Sequence, residues 1–96
     1  MIKLTEAELN QALPTLPGWQ LDAGELIRTL TFRDFRKTIS FVNQLADLAE
    51  TAGHHPDIDI RYNKLKLALT THDSGGITSA DVKMAGQINR LGDISL

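Results

Sequence analysis

The stretch ETAGHHPDIDIRYNKLKLALTTHD, Glu50 to Asp73, decides how this chain folds. Its first residues end a helical pattern, Gly53 and Pro56 interrupt it, and two alternating runs follow. Ile58, Ile60 and Tyr62 recur at every second position, and so do Leu65, Leu67 and Leu69. A period of two marks strands with one apolar face. Asn63 and Lys64 between the runs suit a two-residue turn, which joins them as an antiparallel hairpin. That register pairs Tyr62 with Leu65. Carried toward the open end, past a Pro56 that lacks an N–H for the ladder, it sets Pro56 opposite Thr71 and His55 opposite His72. All three histidines of the chain, His54, His55 and His72, are then expected at one end of the hairpin.

Upstream, DFRKTISFVNQLADLAETAG carries Phe35, Ile39, Val42, Leu45, Ala46 and Ala49 at helical spacing. Asp34 is placed to cap its start, and Gly53 suits the left-handed position after its end. Before it, LIRTLTF alternates, with Leu26, Leu30 and Phe32 on one face; DAGE forms a turn back to a short strand holding Trp19 and Leu21. The N-terminal LTEAELNQAL starts a helix with a Thr5/Glu8 capping box and a Leu4/Leu9 staple, stopped by Pro14 and Pro17. Downstream, Thr78 and Asp81 form a second capping box, with Ile77 and Val82 as its staple. Ala85, Ile88 and Leu91 are that helix's inward stripe. The order α-β-β-α-β-β-α predicts an α+β two-layer sandwich, a four-stranded antiparallel sheet with helices packed on one face. Its 96 residues make a single domain, 1–96.

Composition excludes several functions. A formal charge of −2 with interspersed acids and bases argues against a nucleic-acid partner. With no cysteine there are no disulfides or thiolate-bound metals. No apolar run reaches the ~20 residues needed to cross a bilayer, and no leader pattern is visible, so a cytoplasmic protein is expected.

The histidines carry the chemistry. His54 and His55 follow a helix C-terminus, whose dipole favours positive charge, and Pro56 holds His55 extended. Glu50, in the last helical turn, is ill placed for that dipole unless it serves a ligand or a histidine. Neighbours in extended chain point to opposite faces, so His54 and His55 are awkward ligands for one metal, and no H-E-x-x-H is present. Imidazole's other use, proton transfer near neutrality, is the better reading. Asp81 is already explained as a capping residue, Trp19 and Tyr62 as packing residues, and Thr70 and Thr71 as strand residues.

Glu50, three residues, His54-His55-Pro56, five residues, Tyr62, nine residues, His72, eight residues and Asp81 together resemble the motif of the pterin-4a-carbinolamine dehydratases. The similarity is tightest over residues 50–89 and extends upstream through LTEAEL, GW and TFRDF. It implies the same α-β-β-α-β-β-α fold and a hydro-lyase that dehydrates 4a-hydroxytetrahydropterins to quinonoid dihydropterins, with neither metal nor other cofactor. By this resemblance His54 and His72 are the acid/base residues, and His55 binds and orients the pterin with Pro56 beside it. Thr70 and Thr71 line the ring, with Glu50 and Asp81 in polar support. It also implies a homodimer or homotetramer, and a link to an aromatic amino acid hydroxylase that uses the recycled pterin. The alternative it carries is a non-catalytic dimerisation, assembly or transcriptional cofactor of the same fold. Animal members hold aromatic residues where this chain has DIDIR, so stacking from those positions is absent here.

Overall fold

The expected hairpin forms, with its turn one residue earlier. In the computed structural model, which describes residues 1–91, β3 (Asp57–Arg61) pairs antiparallel with β4 (Lys64–Leu69), Arg61 facing Lys64 and Ile58 facing Leu67. The turn is Tyr62-Asn63, with Tyr62 at φ +56 and 67% exposed, so Tyr62 neither pairs with Leu65 nor packs inside. Asn63 explains the shift. Its side-chain amide donates to the Phe32 carbonyl at 2.9 Å, and its own carbonyl accepts from Phe32 N–H at 2.8 Å. Those bonds tie the turn to the chain leaving the neighbouring strand. Continued beyond the Asp57–Ala68 pair, this register brings His54 level with Thr71, and not His55 with His72.

The sheet order is β1-β2-β4-β3, with β1 (Gln20–Asp22) and β2 (Glu25–Thr31) joined by Ala23-Gly24. Both turn residues have positive φ, 49° and 79°, the handedness that matches strand twist in a two-residue connection. The central strands β2 and β4 put Leu26, Leu30, Leu65, Leu67 and Leu69 on one face, all buried. Thr29, Lys66 and Asp59, aligned across β2, β4 and β3, are exposed on the other.

α2 (Phe35–Ala52) runs from β2 to β3 and buries Thr38, Phe41, Leu45 and Ala49. The expected stripe was turned partly outward: Phe35 is 48% exposed and Ala46 is exposed. Apolar residues cover more than one face of this helix, so spacing alone cannot say which row meets the sheet. Asp34 caps it, accepting from Lys37 N–H at 2.9 Å, and this bond holds the carboxyl below the usual aspartate range. The cap's contribution is therefore complete above that range and fades as pH falls through the group's own lower value. Gly53 closes the helix at φ +64. α3 (Ser79–Ile88) contributes Met84, Ala85 and Ile88 to the core, with Leu91 packed at its margin. α1 (Glu6–Ala12) has the expected capping box and lays Leu9 against the same core, with Leu4 and Leu13 packed on either side of the helix.

One polar knot fastens the two ends of the chain. Arg28 donates to Pro17 O and Asn89 Oδ1, Trp19 Nε1 donates to the same Oδ1 at 2.9 Å, and Asn89 Nδ2 donates to Pro17 O. Burial depresses the Arg28 pKa. Gly18 lies against it at φ +86, where an added Cβ would stand 2.6 Å from the guanidinium carbon. Gly18→Ala is expected to cost about 2–3 kcal/mol, combining backbone strain with displacement of Arg28. A urea midpoint equal to that of the parent chain would contradict this.

Candidate active site

Asp81 organises the site. It is wholly buried in the first turn of α3, and a buried carboxylate must be fully partnered. Oδ2 accepts from Thr78 N–H at 2.9 Å and from the Thr71 hydroxyl at 2.7 Å. Oδ1 meets His54 Nε2 at 2.5 Å. The capping reading of Asp81 is thus correct for one oxygen and incomplete for the other. Thr71 spends its single proton on Asp81, so in the 2.9 Å contact between the two hydroxyls it can only accept, from a Thr78 hydroxyl that also lies 3.3 Å from Met1 Sδ. An ionised Asp81 can only accept, which places a proton on His54 Nε2 and leaves Nδ1 for other chemistry.

The second pair is local. His55 Nε2 lies 2.5 Å from Glu50 Oε2, both side chains exposed. The two adjacent rings therefore turn apart, one inward to Asp81 and one outward to Glu50, as expected of neighbours in extended chain. Pro56, the next residue, is buried.

His72 is placed differently from expectation. β4 ends at Leu69, Thr71 bridges to Gly76, and His72 begins a one-turn 3-10 helix, His72–Ser74. Its side chain is exposed, one residue from the Thr71 that bonds Asp81. His54 and His55 thus meet carboxylates at the start of α3 and the end of α2, and the strand register does not pair His55 with His72. Thr70 makes a long 3.4 Å contact to Gly24 O. Among the described residues, no three His, Asp or Glu side chains converge as a metal site.

His54 also lines a cleft of about 560 Å³ between α2 and α3, walled by Leu48, Thr51, Ser79, Lys83, Met84 and Gln87 among others. Neither Thr78 as the hydroxyl partner of Thr71 nor the α3 wall stood out in the sequence. Thr78 was visible only as a cap, and nothing in the spacing singled out Lys83 or Gln87. Among the described residues, no helix is long and apolar enough to cross a membrane.

Residues 2–91 match the family model described as pterin 4 alpha carbinolamine dehydratase. Relatives in Acidobacterium capsulatum and Chloroflexus aurantiacus, both provisionally named for that dehydratase, are each 50% identical over 91 residues. Those alignments cover 95% of this chain and 99% and 98% of theirs. A crystal structure from Brucella melitensis, titled a transcriptional coactivator/pterin dehydratase, superposes with a TM-score of 0.86 at 40% identity, covering 91% of this chain and 95% of that one. A pterin dehydratase-like RuBisCO assembly factor of the alpha-carboxysome shares the fold, with a TM-score of 0.64 at 24% identity over 80% of this chain and 89% of its own.

Proposed function

We propose that this chain, which belongs to the pterin-4a-carbinolamine dehydratase family, is a hydro-lyase converting 4a-hydroxytetrahydropterin to quinonoid dihydropterin. The observation that carries the reading is the division of Asp81. One oxygen is spent on the helix cap and the other holds His54 by Nε2, which leaves the Nδ1 lone pair unclaimed by the carboxylate.

The reaction loses a hydroxyl from C4a and a proton from ring nitrogen, and a C=N bond forms between those atoms. In this reading His54 Nδ1 takes the nitrogen proton, and Asp81 stabilises the imidazolium that results. Protonated His72, exposed to solvent from which it is recharged, delivers a proton to the departing hydroxyl, and water leaves. His55, steadied by Glu50, binds and orients the ring, with Pro56, Thr70 and Thr71 beside it. Each imidazole supplies on the order of 100-fold or more. That suffices for a carbinolamine that already collapses unaided. No metal or redox cofactor takes part. The same reading includes a hydroxylase that generates the carbinolamine, a homodimer or homotetramer, and a cytoplasmic site of action.

The test follows the decay of enzymatically generated 4a-hydroxytetrahydropterin by absorbance, with and without the protein. Acceleration that disappears in His54→Ala supports the assignment. Folded protein without any acceleration would reject it in favour of the coactivator role for which the Brucella protein is named.

A further inference from the structure

We infer that Lys83 selects, in the cleft it shares with His54, pterins whose C6 substituent ends in an anion such as a carboxylate or phosphate. The selection deepens the dehydratase reading and rests on it. The cleft, about 560 Å³, is of the size that holds small ligands and leaves space beyond a bicyclic ring. Ser79, Lys83 and Gln87 stand four residues apart on α3, so one helix face brings a hydroxyl, an ammonium and an amide to the cleft.

That ammonium forms no ion pair among the described residues, although Glu8 borders a second groove beside it. Positions 79, 80, 86 and 87, the helical neighbours of Lys83, are Ser, Ala, Gly and Gln, so no carboxylate lies one turn away. Among the described residues no acid elsewhere pairs with it. Among the described residues no carboxylate lines the cleft either; its lining holds Lys83, His54 and the N-terminal residue Met1, in a chain of net charge −2. Leu48 and Met84 form apolar wall, which strengthens a charge contact beside it relative to open water. A substituent ending in neutral hydroxyls leaves this ammonium unused, whereas an anion on C6 meets it while His54 works on the ring.

The test titrates the full chain with two stable, fluorescent pterins, 6-carboxypterin and 6-hydroxymethylpterin. The carboxylate form is expected to bind about fivefold more tightly, the upper size for a solvent-accessible ion pair. The preference should shrink in high salt, vanish in Lys83→Gln and reverse in Lys83→Glu. Lys83 is exposed, so unchanged thermal unfolding of both variants serves as the folding control. Equal affinity for the two pterins, or a preference that survives Lys83→Gln, overturns the selection while leaving the dehydratase reading intact. Binding of neither pterin, together with no acceleration of carbinolamine decay, overturns both.

Discussion

His72→Ala is expected to lower kcat/KM for carbinolamine dehydration by about 100-fold or more while leaving the fold unchanged. The side chain is exposed at the start of a one-turn 3-10 helix, and among the described residues its ring makes no hydrogen bond. Its removal should therefore move unfolding free energy by no more than about 0.5 kcal/mol, the range of ordinary surface substitutions. This combination is the useful one. A residue that contributes little to stability and much to rate acts on the substrate. His54→Ala should produce a loss of similar size, but with some destabilisation, because Asp81 Oδ1 is left buried without its partner. The double variant should fall well short of the product of the two losses, since groups that act as one unit are not additive. Turnover near that of the parent chain in a folded His72→Ala protein would remove His72 from the reaction.

The second large effect is expected at Asp81, and the asparagine variant separates its two duties. Thr78 N–H and the Thr71 hydroxyl both donate to Oδ2, so an amide at this position must turn its carbonyl oxygen toward them. Its NH₂ then faces His54 Nε2, and a donor now stands where an acceptor stood. The ring has to present a lone pair at Nε2 and carry its proton on Nδ1, which removes the base from the side left for substrate. Asp81→Asn should thus keep most of the cap, cost about 1–2 kcal/mol of stability, and lower kcat by roughly 10- to 100-fold, as loss of such an orienting partner does. Asp81→Ala leaves the Thr78 N–H, the Thr71 hydroxyl and His54 all unpaired, and about 3 kcal/mol or more of stability should go with the activity. If Asp81→Asn turned over carbinolamine as fast as the parent chain, Asp81 would be a helix cap and nothing further.

The strands, the helix caps and the inward face of β4 were legible because each depends on neighbours in sequence. Thr5 with Glu8 and Thr78 with Asp81 close their boxes within one turn, and Leu65, Leu67 and Leu69 alternate whatever lies beside them. The hairpin register was not legible for a specific reason. Moving the turn from Asn63-Lys64 to Tyr62-Asn63 shifts each cross-strand partner by two positions and so keeps every side chain on its face. Hydrophobic alternation is blind to such a shift. The bonds from Asn63 to Phe32, 31 residues away, decide it.

Sequence alone determined the element order, the caps, and the residue types able to move protons: His54, His55, His72, Glu50 and Asp81. Tertiary structure decided which of them meet. It joined Asp81 to His54 across 27 residues, kept His55 with Glu50, left His72 beside Thr71 in solvent, and set Lys83 in the wall of the His54 cleft. Local propensity acts over one helical turn or one strand repeat. The partners of a buried carboxylate and the lining of a cleft are fixed only when separate elements pack, because burial makes an unpaired charge too costly to leave.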